Sequence, residues 1–154
     1  MTRIERARFP EDLDAVKAIF REYIGSASVS LDFQNYEDEL ATLPGKYAAP
    51  RGGLFLAWQA GGVVGCAGFR EVDETACEMK RVYVRPAARG LNIGRRLVER
   101  VLDEARAAGY ARICLDVLPE FEAARQLYES LGFVAAPAVT FNPVPGTEFL
   151  GMEL

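Results

Sequence analysis

Residues 76 to 118 constrain the fold more tightly than any other part of the chain. The segment 76–85, ending "RVYVR", reads as a strand that Pro86 terminates. A loop containing Gly90 and Gly94 then leads into a helix with Leu97, Val98, Val101, Leu102 and Ala105 on its buried stripe, closed by Gly109. The next segment, "ARICLDVL", is apolar at nearly every position, the pattern of a strand covered on both faces. A strand, a helix and a doubly covered strand in succession belong to an α/β domain with a mixed central sheet flanked by helices.

The remaining elements fit that class. "TRIERA" alternates as a short strand, and Pro10 opens a helical segment with Leu13, Val16, Ile19, Phe20 and Tyr23 on one face, stopped by Gly25. Asp32 can cap a second short helix carrying Phe33, Tyr36, Leu40 and Leu43, which ends at Pro44-Gly45. "LFLAWQ" and "VVGCAGFREV" form a hairpin about Ala60-Gly61-Gly62. Pro119 starts a helix with Phe121, Ala124, Leu127, Tyr128 and Leu131 inward, and Gly132 stops it. "FVAA" and "TEFLGMEL" close the chain as strands around "NPVPG". The expected order is β-α-α-β-β-β-α-β-α-β-β, in one domain spanning 1–154, a length that suits a single core.

Several function classes are excluded at this level. The chain has no histidine, which removes Ser-His and Cys-His nucleophile pairs and argues against a zinc site; no metal is expected. Cys66, Cys77 and Cys114 are odd in number and form no CxxC, so they read as reduced, buried thiols of a cytoplasmic protein. "MTRIERARFPEDL" carries charges where a signal peptide needs an apolar core, and no apolar run reaches membrane-spanning length. A formal net charge of −4 argues against a general nucleic-acid or membrane-surface binder.

Against that acidity, residues 81–101 hold six arginines (81, 85, 89, 95, 96 and 100) and one acid, Glu99. A helix N-terminus preceded by small residues offers unpaired N–H groups and a positive dipole end, which suits phosphate. Gly90 and Gly94 flank this helix start, with Arg89, Arg95 and Arg96 beside them. The loop lacks the Gly-Lys-Ser/Thr of a P-loop, and its glycine spacing is not the dinucleotide GxGxxG. Local anion binding is the reading favoured for the cluster, a solvated arginine face its alternative.

Three motifs in order, "EMKRVYVRP", "RGLNIG" and "AARQLYESLGF", resemble those of the GCN5-related N-acetyltransferases, whose coenzyme A signature is Arg or Gln, two residues, Gly, one residue, then Gly or Ala. The resemblance follows the element order of nearly the whole chain and is detailed over residues 76–134. It departs in two places: Asn92 stands at the first signature glycine, and Phe121 stands where the family often has Asn. It implies a GNAT-like fold and acetyl-CoA as co-substrate, with Arg89, Gly90, Leu91, Asn92, Ile93, Gly94 and Arg95 forming the cofactor loop. It further implies Val82 N–H at the thioester carbonyl and main-chain contacts from Tyr83 and Val84, a form of β-strand addition.

The same resemblance gives Tyr128 as the proton donor to the departing sulfur and Glu78, sixteen residues before Gly94, as the base. Glu78 also reads as an exposed strand-end carboxylate paired with Arg or Lys, and Tyr128 as a core tyrosine. Asp116 is a second candidate base, or satisfies a local hydrogen bond. Direct attack by a primary amine of a small molecule or peptide is expected, because no Ser or Cys with a paired base is evident. The acceptor would lie among residues 26–34, the second helix and "FNPVPG" (141–146), with Phe33, Tyr36 and Phe141 as lining and Asp32, Glu37 or Asn142 orienting the amine. A monomer or homodimer is expected. A non-catalytic acyl-CoA sensor and a small interaction domain are the alternatives. Asn92 is expected to be left-handed, since Asn tolerates positive φ better than other non-glycine residues, along with Asp.

Overall fold

The computed structural model describes residues 1–31 and 35–154. Its elements follow the expected order. β1 (Thr2–Arg6), α1 (Leu13–Ser26) and α2 (Tyr36–Ala41) precede the strands β2 (Gly53–Gln59), β3 (Gly62–Glu71) and β4 (Ala76–Val84). α3 (Ile93–Ala107), β5 (Arg112–Val117), α4 (Glu122–Ser130), β6 (Val134–Ala135) and β7 (Glu148–Glu153) complete the chain. One seven-stranded sheet runs β1-β2-β3-β4-β5-β7-β6, with β4 and β5 parallel and the other neighbours antiparallel.

Local chemistry explains the elements. Gln59 pairs with Gly62 across a two-residue turn in which Ala60 and Gly61 both have positive φ (51° and 82°), the twist that antiparallel strands demand of so short a loop. α1 buries Val16, Ile19 and Phe20 completely, and α3 buries Ile93, Leu97, Val98, Val101, Leu102 and Ala105. Each fully buried Val or Leu contributes about 1.5–3 kcal/mol. The two helices cover opposite faces of the sheet, giving one apolar cluster with α3 and α4 and another with α1 and α2.

Boundaries shift by a few residues. α1 continues through Gly25 to Ser26. α2 stops at Ala41 because Leu43 precedes Pro44, where helical backbone is disfavoured. α4 begins at Glu122 rather than at Pro119, after a turn in which Phe121 N–H donates to Leu118 O. Asp32 and Phe33, expected as a cap and a lining residue, lie outside the described residues.

β4 holds the feature that positions the site. On β3, Gly68 and Cys66 are two residues apart, whereas their partners Lys80 and Tyr83 are three apart. Arg81 and Val82 thus share one position of the ladder, a β-bulge, and Arg81 takes a left-handed φ of 61°. Before the bulge the odd residues Cys77 and Met79 face α3; after it the even residues Val82 and Val84 do, while Tyr83 joins the α1 side. On its other edge, β4 pairs with β5 only from Ala76 to Glu78, against Arg112 to Cys114. Beyond those pairs the strands part. No helix among the described residues is long and apolar enough to cross a membrane.

Candidate active site

A cavity of about 690 Å³ opens where β4 and β5 separate, walled by Met79–Val84 on one side and Leu115–Leu118 with α4 on the other. Its first end is the start of α3. Asn92 is the residue before the helix, left-handed at φ 61° and ψ 18°, with no side-chain cap bond. The helix's first internal bond runs from Arg96 N–H to Asn92 O at 3.0 Å, so the amides of Ile93, Gly94 and Arg95 precede the intrahelical ladder. Gly90 has φ 85°, a conformation that favours glycine. Gly94 needs no special φ, and a Cβ there would meet only Leu127 and Val84 side chains at 3.6 and 3.7 Å. No tight protein contact demands a glycine at 94, while the cavity runs alongside it. The donor set at this end fits an anion brought close to backbone.

The six arginines do not converge on that anion, which corrects the simple reading of their clustering. Arg81 is buried and bonds Glu39, Nε to Oε2 at 2.8 Å and Nη2 to Oε1 at 3.1 Å. Arg85 donates to Glu22 at 2.9 Å and to Val63 O at 2.8 Å. Arg96 donates to Thr2 O at 3.0 Å, and Arg100 to Glu104 at 2.9 Å and Ile4 O at 3.0 Å, fastening α3 to β1. Arg89 and Arg95 line the cavity. Arg89 donates to Val84 O at 2.9 Å and lies over the Tyr83 ring.

The other expected cofactor-loop residues divide clearly. Gly90, Asn92, Ile93 and Gly94 line the cavity, whereas Leu91 is 56% exposed and is not part of its wall. Val82, Tyr83 and Val84 all line it, and Val82 has no partner in the β3–β4 register. Phe121 and Leu127 form the apolar wall opposite.

The second end is polar. Tyr128 is buried on the cavity wall, its ring 5.8 Å from that of Phe133. Burial raises its phenol above the ordinary tyrosine value, with Tyr23 and Asp116 adding to the effect, so the hydroxyl stays protonated at neutral pH. Lys80, Tyr23, Asp116 and Asn142 line the same end. Asp116 Oδ1 is 3.8 Å from Lys80 Nζ, and its Oδ2 accepts a 2.8 Å bond from Asn142 Nδ2. Glu120, on the rim, accepts from Ser28 N–H at 3.1 Å and Ser28 Oγ at 2.9 Å, holding the loop after α1 against the entry to α4.

Glu78 is absent from this wall. It is buried, and its Oε1 accepts from Arg70 Nε at 2.7 Å. Of the other expected acceptor-side residues, Tyr36 packs partly buried beside α1, Glu37 is exposed on α2, and Phe141 is 74% exposed. All three thiols are buried outside the cavity wall, and burial pushes Cys114 up to about 11 and Cys77 to about 12, far from thiolate at neutral pH.

Lys80 was not singled out from the sequence, although a signal existed. Glu78, Lys80 and Arg81 put three charges within four positions of a strand that the surrounding pattern places inside the sheet. Charges there must be paired or must face a cavity.

A sequence model described as the acetyltransferase (GNAT) family matches residues 14–133. An uncharacterized N-acetyltransferase of Schizosaccharomyces pombe is 35% identical over 153 residues, covering 98% of this chain and 94% of its own. Among solved structures, an acetyltransferase of Streptococcus agalactiae superposes with a TM-score of 0.81 at 20% identity, over 99% of this chain and 98% of its own. The protein yncA of Salmonella typhimurium, solved with its cofactor acetyl-CoA, gives a TM-score of 0.71 at 25% identity, over 99% of this chain and 93% of its own.

Proposed function

Because the chain belongs to the GNAT family of acetyltransferases, we propose that it moves an acetyl group from acetyl-CoA to a primary amine by direct attack. The observation that carries the reading is the continuous cleft from the bare amides at the start of α3, along the parted edge of β4, to the Tyr128 hydroxyl. Pyrophosphate would meet the Ile93, Gly94 and Arg95 amides with Arg89 and Arg95 beside them. The pantetheine arm would pair with the free main chain around Val82, Tyr83 and Val84.

Acetyl-CoA supplies the activated acyl group; the chain supplies orientation and proton control. The bond formed joins the amine nitrogen to the carbonyl carbon, and the bond broken is carbon to sulfur. Val82 N–H would donate to the carbonyl oxygen as charge builds there. Asp116 is the better candidate for taking the amine's proton, because its carboxylate faces the cleft while Glu78 is engaged with Arg70 away from it. Tyr128, kept protonated by burial, would protonate the departing thiolate. The buried thiols give no support to an acyl-cysteine intermediate.

Acetyl-CoA at a hundred times its Kd is expected to stabilise the fold by about 2.7 kcal/mol, roughly 5–10 °C in Tm. A thermal melt with acetyl-CoA, ATP and NAD as separate additions checks this. Equal inertness of all three overturns the cofactor reading, and stabilisation without thiol release over a broad amine panel reduces the protein to an acyl-CoA sensor.

The left-handed Asn92 gives a sharper test. Asn92→Gly should leave acetyl-CoA affinity nearly unchanged. Asn92→Val should weaken it about tenfold or more, since a β-branched residue is a steric outlier at φ 61°. Calorimetric titration compares them, and wild-type affinity in the valine variant would break the link between this backbone geometry and the cofactor.

A further inference from the structure

We propose that the acceptor is an amino acid or a similar small amine with a neighbouring carboxylate, its carboxylate bound by Lys80 and its amine presented to Asp116. The proposal rests on the acetyl-transfer reading above and names the substrate class of that site.

The three charged side chains of β4, Glu78, Lys80 and Arg81, each stand near an opposite charge. Arg70–Glu78 closes at 2.7 Å and Arg81–Glu39 at 2.8 Å. Lys80–Asp116 stands open at 3.8 Å, beyond hydrogen-bond distance. It is also the pair with both members on the cavity wall; Glu39, Arg70 and Glu78 are not part of that wall.

Lys80 is 7% exposed, and among the described residues its ammonium has no hydrogen bond, only the distant Asp116. A buried ammonium with three donors and no acceptor is costly. Burial accordingly lowers the Lys80 pKa, with Asp116 opposing the shift. Asp116 does not close the gap by turning, because Asn142 holds its Oδ2. Asn142 is held in turn through Oδ1 by Val144 N–H at 3.0 Å and Thr147 Oγ1 at 3.3 Å. One carboxylate oxygen and one ammonium are thus held apart, facing the cleft.

A zwitterion laid across the pair from the cleft meets an opposite charge at each of its own. Its carboxylate supplies the acceptor that Lys80 lacks, and its amine reaches the free Asp116 oxygen. A diamine would satisfy Asp116 but set its second cation near Lys80, and a simple alkylamine would leave Lys80 unpaired.

The test is thiol release by the wild-type protein on matched pairs: leucine and isopentylamine, methionine and 3-(methylthio)propylamine, phenylalanine and phenethylamine. In at least one pair the acid should exceed its amine by roughly a hundredfold or more in kcat/KM. Lys80→Met, checked for folding by circular dichroism, should erase most of that preference by raising KM for the acid, with acetyl-CoA affinity kept. Amines equal to or better than acids, or no reaction of any pair in a protein that acetyl-CoA stabilises, overturns the proposal; so does a folded Lys80→Met that keeps the preference. Absence of acetyl-CoA stabilisation removes the acetyl-transfer reading itself, and this proposal with it. The wild-type comparison stands whether or not the variant folds.

Discussion

Replacing Tyr128 by phenylalanine is expected to lower kcat by roughly ten- to a thousandfold while acetyl-CoA affinity stays near wild type. The ring remains, so its packing against Phe133 and the apolar cluster is preserved. What is lost is a proton donor on the cavity wall. The sign of the pH effect follows from the direction of the shift: a phenol raised above its usual value stays protonated through and beyond the ordinary tyrosine range. The deficit of the variant should therefore be constant from pH 7 to about pH 9.5. Initial rates of thiol release for both proteins across that interval are the measurement. Equal rates would return Tyr128 to a purely structural role.

Replacing Arg81 by methionine is expected to destabilise the fold by about 3–5 kcal/mol, a fall in Tm of roughly 6–20 °C. Arg81 is 2% exposed and meets Glu39 through two nitrogens, and Tyr47 donates its hydroxyl to the same carboxylate at 3.2 Å. Removing the guanidinium leaves Glu39 half-buried with Arg70 Nη1 3.7 Å away as its remaining cation among the described residues. Thermal melts of Arg81→Met with and without Glu39→Gln separate the two contributions: the second change should recover part of the loss. A fall of under about 1 kcal/mol would mean that the pair contributes little.

The fold was legible because its signals are local. Period-3.6 stripes at Val16, Ile19, Phe20 and at Leu97, Val98, Val101, Leu102 fixed two helices, and Ala60-Gly61 fixed a hairpin. The left-handed Asn92 was legible for the same reason, since one residue's tolerance of positive φ is a property of that residue. The bulge at Arg81 was not, because arginine carries no preference for a left-handed backbone and nothing nearby marks it. The roles of the arginines were hidden by distance along the chain. Glu39 lies 42 positions from Arg81, and Ile4 lies 96 from Arg100, so a run that looks like one electrostatic device is shared among several elements. For Glu78, read either as the base or as an exposed strand-end carboxylate paired with Arg or Lys, the pairing is present but the exposure is not, because Arg70 reaches it from the adjacent strand. Lys80 escaped notice because its meaning depends on a cleft that only the parting of β4 and β5 creates.

The single extra residue in β4 makes chain length, rather than chemistry, the variable this segment tolerates least. Elsewhere, as at the exposed residues 137–139, an added or lost residue alters a surface loop. Between Met79 and Tyr83 the loss of one residue would remove the bulge, and β4 would run unbroken along β3 with Lys80 still opposite Gly68 and Tyr83 still opposite Cys66. Tyr83 and Val84 would keep their sides of the sheet, but the main chain around Val82, which has no partner in the β3–β4 register, would be drawn into the ladder. A more regular strand would thus be a strand without a cleft.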